Sequence, residues 1–452
     1  MSEITLTPHQ QHAITFVLDT LKASTTTLAI RGLAGTGKSA LMPHLRTAIQ
    51  EAHQCAVAIG APTHRAAMIL KQKGLADADT IHSLAMRPRF DNAYQDACAM
   101  LGKPLYGSVT LDEQERPVCP PWDEDGDTLL AEAKRSWQRL DSWPGEVALR
   151  ERAQRFGAAK TLRSVGINGR AHIIGQEPKP NPGTILLCDE GSMVGRELLT
   201  LCEAAYQAVV LIGDPGQLPP VNDIAVLAQL PGFDLHEVHR QQEGSSILRC
   251  AYAARAGTAQ WRGSAQQWAP DVLYADYFPL DRATSVPILV WRNSVRLEVT
   301  RALRAGLGYD ELYLHPGEPL ICRTTNREDK VDGLYTNAQF RVVEVEPANP
   351  RLLLIAPEGE PDAIQEVTAH MEELDGAYVE PGATPFRFGY VLTVHTAQGG
   401  EWPWVAVDLQ ELLAQRGMSA RQGRLDESAQ WAYTAITRAK EKLVLLTQRV
   451  FR

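Results

Sequence analysis

The sequence predicts an α/β protein built on parallel sheets in two halves, and three observations carry that expectation. Thr25–Leu41 reads TTTLAIRGLAGTGKSAL: a β-branched, apolar strand, a glycine-rich turn and the start of a helix. Short apolar strand candidates recur along the chain, each ending in a polar loop, the pattern of a parallel sheet that binds its ligand at the strand ends. The second half repeats the pattern at Ile288–Trp291, Val391–Val394, Val405–Leu409 and Leu443–Leu446, without a second glycine-rich turn.

That turn has a specific chemistry. Gly32, Gly37, Lys38 and Ser39 fit G-x-x-x-x-G-K-[ST], the P-loop spacing, with Gly35 and Thr36 between them. Glycines let the backbone wrap a polyphosphate with its N–H groups pointing inward, and the following helix aims its positive end at the same anion. Lys38 is placed to reach the β- and γ-phosphates, and Ser39 to bind Mg²⁺. A nucleoside triphosphate is therefore the expected ligand. Its use is not given by this motif.

Composition narrows the field. The chain has 452 residues, 44% of them apolar and 22% charged, enough for several domains with sizeable cores. Acidic residues outnumber basic ones, 54 against 45, for a net charge of −9, so any nucleic-acid contact is expected in a local groove. The seven cysteines are scattered without a C-x-x-C pair, so neither zinc nor a disulfide framework is expected. The start, MSEITLTPHQQ, resembles no secretory leader, and no apolar run is long enough to cross a bilayer. A cytoplasmic protein is the expectation.

Ahead of the P-loop, Thr7 and Pro8 open an amphipathic helix, and Gln10 is either a solvated first-turn residue or an amide placed to pair with adenine. Strand-end turns follow at Ala61–Ala66 and Thr80–Ser83, where Pro62, Thr63, His64 and His82 suit contacts to phosphate and sugar; ordinary helix capping explains the threonines equally well. Residues 86–182 are polar and broken by prolines, with a helix at Asp127–Leu140 and a short hairpin at Ser108–Val118, an inserted subdomain. Asp189 and Glu190 then follow the apolar strand Thr184–Cys188; a carboxylate pair there is costly unless a cation stands beside it. Asp189 on Mg²⁺ and Glu190 on a water supply a reason, with acidic helix capping the alternative. Ala208–Ile212 leads to Gly213–Pro220, which carries Gln217 towards the γ-phosphate if the two strands are neighbours. A β-rich, proline-punctuated section near 320–386 (ICRTT, FRVVEVE, RLLLIAP, AYVEP) predicts a small barrel or sheet.

These segments form an ordered set that resembles superfamily 1B DNA helicases of the RecD and Dda type. Leu6–Gln10 is similar to the Q-motif, Gly32–Ser39 to motif I, Ala61–Ala66 and Thr80–Ser83 to motifs Ia and Ib, Asp189–Met193 to II and Gly213–Pro219 to III. Leu235–Gln241 resembles motif IV, Thr393–Trp402 motif V and Tyr433–Lys440 motif VI, so that the likeness runs from residue 6 to about 446 in the family's order.

The resemblance implies two RecA-like domains, 1A (residues 1–85 and 183–225) and 2A (226–320 and 387–452), with subdomain 1B at 86–182 and an SH3-like 2B at 321–386. It implies ATP and Mg²⁺ in the cleft, 5′→3′ movement on single-stranded DNA and strand separation at duplex junctions, in company with single-strand-binding or replication proteins. Lys38, Glu190, Gln217, Arg240 and Arg438 would be catalytic, Ser39 and Asp189 would hold the metal, Gln10 would read adenine and Glu401 would reach the ribose. Pro62, Thr63, His64, His82, Thr393 and His395 would line the DNA path. Two departures stand out: Thr396 replaces the usual lysine of motif V, and the 1B insert is long, with Phe90, Tyr94 and Tyr106 as weak candidates for a strand-splitting pin. Two other functions fit the same residues: the motor acting on RNA, and an ATP-dependent switch or loader that binds nucleic acid without processive movement.

Overall fold

A computed structural model describes residues 6–23, 26–103, 121–137, 142–220, 223–237, 245–258, 270–309, 313–323, 334–375 and 383–452. The expected hairpin at 108–118, Tyr106 and Arg240 lie outside them. The chain forms two compact units, Met1–Ala85 with Pro180–Arg452, and Met86–Lys179.

The larger unit holds both parallel sheets. In the first, strands run in the order Asp79–Thr80, Ala56–Ala61, Asn181–Cys188, Tyr206–Gly213, Thr27–Gly32, Gly232–Leu235. All five pairings are parallel. The central strands are apolar on both faces because helices cover both: Leu28, Ala29, Ile30, Val209, Val210 and Ile212 are fully buried. The strand carrying Asp189 lies directly beside the one leading to Gln217, as the placement of Gln217 required. The sheet also extends past residue 225, since Gly232–Leu235 pairs with the P-loop strand.

The second sheet is also parallel, in the order Val391–Thr393, Ile288–Val290, Trp402–Asp408, Ala439–Leu446, Val272–Ala275. Its last strand was not expected; only four residues long with an exposed leucine, it makes no apolar run. Between Ile288–Val290 and Val391–Thr393 the chain closes a five-stranded barrel of Pro319–Cys322, Gln339–Val345, Leu352–Pro357, Gln365–Met371 and Thr384–Phe388. Four of its pairings are antiparallel; Gln365–Met371 and Thr384–Phe388 run parallel. Phe340, Phe386 and Phe388 fill its core. The expected strand AYVEP lies outside the described residues. Gln365–Met371 and Thr384–Phe388 were not expected; polar residues interrupt the apolar pattern of both.

The smaller unit departs further from expectation. Where one helix was expected, its described residues form four, Asn92–Met100, Leu129–Ser136, Glu146–Phe156 and Ala158–Ser164, beside the antiparallel ribbon Met86–Phe90 with Ile173–Pro178. Tyr94 is 1% exposed, stacked between Phe90 (4.9 Å) and His172 (5.4 Å). It is a core residue of this unit and cannot serve as a pin. Among the described residues no helix is long and apolar enough to cross a membrane.

Candidate functional site

Strand Thr27–Gly32 delivers the P-loop and helix Lys38–His53 leaves it. Gly35 (φ +88°) and Gly37 (φ +75°) take left-handed backbone that a side chain resists, and a Cβ at Gly32 would stand 2.4 Å from Thr36 Oγ1. The loop therefore needs glycine at these positions. The Thr36 hydroxyl donates to Leu33 O (2.8 Å), and Lys38 Nζ donates to the carbonyls of Gly32 (2.7 Å) and Leu33 (2.9 Å). Six of the eight residues expected on the nucleotide, Gly32, Gly35, Thr36, Gly37, Lys38 and Ser39, thus lie together in this loop and the helix start.

Gln10 differs from expectation. It is 2% exposed, not a solvated first-turn residue. Its Oε1 accepts from Thr7 N (3.0 Å) in a capping box, and its Nε2 faces Thr36 O (3.4 Å) and Gly37 O (3.5 Å). The amide proposed for adenine fastens the helix start to the P-loop.

Across the sheet, Asp189 and Glu190 end the strand Asn181–Cys188. Ser39 Oγ lies 3.5 Å from Asp189 Oδ2, so the two expected metal ligands share one spot. Glu190 is not glycine yet sits at φ 52°, ψ 38°, a strained backbone of the kind found at functional sites. Burial raises the Asp189 carboxyl above its ordinary range, against the pull of the Glu190 N–H and Lys38. Burial, then the charge of Asp189, pushes Glu190 up to about 7, while Arg438 and Lys38 pull it down. A carboxyl that titrates near neutrality beside a phosphate cradle is suited to taking a proton from water. Gln217, 7% exposed, has a buried Oε1 without a hydrogen-bond partner.

The other wall comes from the second sheet. Arg438 follows helix Leu425–Ile436, is 3% exposed, and donates to Thr434 O (3.0 Å), Gly400 O (3.2 Å) and Thr437 Oγ1 (3.3 Å). Its charge acts on Glu190 from a part of the chain 248 residues away by number. Glu401 pairs with Lys440 at 3.0 Å, and although burial opposes it, Lys440 and Arg438 hold the carboxyl below its ordinary range.

The proposed DNA contacts divide. Thr63 and Thr393 cap the helices His64–Gln72 and Val394–Ala397 with their hydroxyls, so capping explains both. A Cβ built on Gly399 would lie 3.2 Å from Thr63 Oγ1, which brings the segment after Thr393 and His395 against the one holding Pro62, Thr63 and His64. The His64 ring lies 5.0 Å from that of Tyr335; His82 and His395 are exposed.

Sequence reasoning gave no role to seven residues whose five hydrogen bonds join the two halves. Tyr252 OH donates to Ala34 O (2.6 Å), and Ala34 N donates to Tyr433 OH (2.7 Å), which donates to Asp214 Oδ2 (2.6 Å). Leu218 N donates to Thr434 Oγ1 (2.9 Å), and Gln398 Nε2 to Leu218 O (3.1 Å). Arg65 was also missed: its guanidinium lies 4.3 Å over Trp402, and burial, then Arg438, lowers its pKa to about 10. The clue for Tyr433, Thr434 and Gln398 was their place inside the expected motifs.

Two family models match, an AAA domain over residues 14–223 and a UvrD-like helicase C-terminal domain over 388–446. The ATP-dependent RecD2 DNA helicase of Deinococcus radiodurans is 30% identical over 295 residues. Over these stretches the chain is similar to a RecD-type DNA helicase. The aligned part is 58% of the chain and 36% of that relative, so the chain spans about a third of its curated relative's length. Solved structures similar to it include a Bacteroides Pif1 bound to single-stranded DNA (TM-score 0.48, 14% identity, 98% of this chain and 92% of that one). The Pif1 helicase of Candida albicans is another (TM-score 0.47, 17% identity, 99% and 96%).

Proposed function

We propose that the chain is an ATP-dependent DNA helicase that moves 5′→3′ on single-stranded DNA and opens duplex by hydrolysing MgATP between its two sheets. One observation carries this: Glu190 lies under the influence of both Lys38 from the P-loop and Arg438 from the opposite half. Hydrolysis is thereby tied to the relation of the two halves, which is what a translocating motor needs. In this scheme the first sheet is domain 1A, the second 2A, the barrel an SH3-like 2B, and the unit from Met86 to Lys179 is 1B.

Ser39 and Asp189 offer the hard oxygen donors that Mg²⁺ prefers, and the bound ion would polarise the γ-phosphate. Lys38 exchanges the carbonyls of Gly32 and Leu33 for phosphate oxygens. Gln217 turns its buried, unpartnered Oε1 to the attacking water, and Glu190 takes that water's proton. Arg438, with Arg240, neutralises charge that grows on the γ-phosphate. Glu401 reaches the ribose, and Gln10 holds the base end of the loop. Pro62, Thr63, His64, His82, Thr393 and His395 line the strand's path.

The test is ATP turnover without polymer and with single-stranded DNA, single-stranded RNA or blunt duplex, followed by unwinding of a tailed duplex. DNA-stimulated turnover with unwinding of a 5′-tailed substrate is expected. RNA stimulation alone would make it an RNA motor, and stimulation without unwinding a switch or loader.

A further expected result is that Lys38→Ala lowers turnover by roughly a thousandfold, in the range for losing a key charge-stabilising donor. Filter-binding affinity for single-stranded DNA should stay within about twofold, because among the described residues the hydrogen bonds of Lys38 go to its own loop. Equal loss of both would overturn the separation of the two sites.

A further inference from the structure

Ala34 is the middle of the P-loop, and both ends of its peptide environment are held by tyrosines from the other half of the unit. Tyr252, on helix Ser246–Arg255, donates to the Ala34 carbonyl at 2.6 Å. Tyr433, on helix Leu425–Ile436, accepts the Ala34 N–H at 2.7 Å. The two rings stack at 6.4 Å and 17°, so they form one layer against the loop.

The Tyr433 hydroxyl does not stop at the P-loop. It donates to Asp214, a carboxylate with no exposure whose other oxygen accepts from Gly216 N at 2.8 Å. Asp214 and Gly216 fix the backbone that presents Gln217, and Gln217 N in turn donates to Asp214 O. One residue further, Thr434 holds Leu218 N, and four residues beyond that comes Arg438. The C-terminal end of one helix therefore contacts the P-loop and the loop bearing Gln217, and leads into the arginine whose charge acts on Glu190.

Packing alone does not call for these hydroxyls. A phenylalanine would fill the same space, and a buried hydroxyl is costly unless its bonds are made. What the hydroxyls add is direction: hydrogen bonds fix the orientation of one peptide, while apolar contact tolerates rotation. Rotating the Ala34 peptide turns its N–H towards or away from any phosphate in the cradle. It follows that a shift of helix Leu425–Ile436 changes the phosphate cradle and the position of Gln217 together.

We propose that Tyr433 and Tyr252 are positioning residues that couple nucleic-acid binding to hydrolysis, by setting the Ala34 peptide and the Gln217 loop from the second sheet. This rests on the motor proposed above. It places the two tyrosines outside the chemistry itself: neither transfers a proton, and burial, then the charge of Asp214, keeps the Tyr433 hydroxyl well above its ordinary pKa and so protonated.

The experiment compares the full chain with its Tyr252→Phe and Tyr433→Phe variants, measuring ATP turnover with and without an oligothymidylate. The readout is the ratio of the two rates. A variant that is merely less well folded loses both rates in proportion and keeps the ratio. A coupling variant changes the ratio, whether the stimulated rate falls or the unstimulated one rises. Each phenylalanine variant should lower the ratio at least tenfold, and oligothymidylate affinity by anisotropy should stay within twofold. A ratio within twofold of the unaltered chain in both variants would overturn the coupling role and leave the motor standing. An unaltered chain whose turnover ignores DNA and RNA alike would overturn the motor itself and the coupling with it.

Discussion

Glu190→Gln should lower ATP turnover by two to four orders of magnitude, the span expected for removing a general base, without weakening nucleotide binding. The substitution keeps the shape and takes away a buried negative charge beside Asp189, so binding of an anionic nucleotide should if anything tighten. The unaltered chain should show kcat/KM rising with pH through an apparent pKa near 7, the value to which burial and Asp189 push Glu190. Stability carries the same signature. The carboxyl is raised from 4.5 to about 7 on folding, so between those values the folded state holds more protons than the unfolded one. Stability due to this group therefore falls as pH rises through that window, and the whole penalty is present above it. Glutamine cannot ionise and escapes the penalty. The variant should melt higher than the unaltered chain at pH 8, by roughly 2 °C or more, and level with it near pH 4.5. Equal melting temperatures at both pH values would show that Glu190 is not held as a buried charge. Retained turnover would remove it from the reaction.

How much of this was legible depended on how far apart the interacting residues lie in the chain. The P-loop was readable because its demands fall within eight consecutive positions: left-handed backbone at Gly35 and Gly37, a close approach at Gly32, and the lysine and serine that follow. The inner strands of both sheets showed as apolar runs because both their faces are buried, whereas the short strands Asp79–Thr80, Gly232–Leu235 and Val272–Ala275 at the sheet edges did not. Of the smaller unit's helices, Leu129–Ser136 showed, inside the expected Asp127–Leu140, and Asn92–Met100, Glu146–Phe156 and Ala158–Ser164 did not. Glu146–Phe156 buries only Leu149 and Ala153, so its sequence reads as a charged stretch rather than an amphipathic one. Gln10 was open to two readings, and what excludes the solvated one, its burial against P-loop carbonyls 26 and 27 residues on, is not local in the sequence. The tyrosine pairing could not be read, although Tyr433 lay inside an expected motif. Tyr252 and Tyr433 meet Ala34 across 218 and 399 residues, and nothing in a single sequence says which buried tyrosine faces which loop.

Arg438→Ala should lower kcat for DNA-stimulated hydrolysis by more than a hundredfold and change nucleotide Kd by less than about threefold. Sequence alone offered no local reason for an arginine at this position; the structure supplies one. With Thr434 O, Gly400 O and Thr437 Oγ1 as its acceptors, the guanidinium is held in place while buried. Those bonds fix its direction, and its charge already lowers the Glu190 carboxyl against burial. A buried cation fixed in this way stabilises most what becomes negative during the reaction, so its removal falls on turnover rather than on binding. Arginine fingers are worth roughly 10³–10⁵ in rate, and a share divided with Arg240 still exceeds a hundredfold. Arg438→Lys should not rescue, because an ammonium cannot keep three diverging acceptors and also face the phosphate as the planar fork does. The structural part of the effect separates cleanly: rates are taken per nucleotide-binding site, so misfolded protein drops out of the comparison. Near-normal kcat in either variant would place Arg438 outside the reaction, as a fastener between Gly400 and helix Leu425–Ile436, and the two halves would then hydrolyse ATP without closing on it.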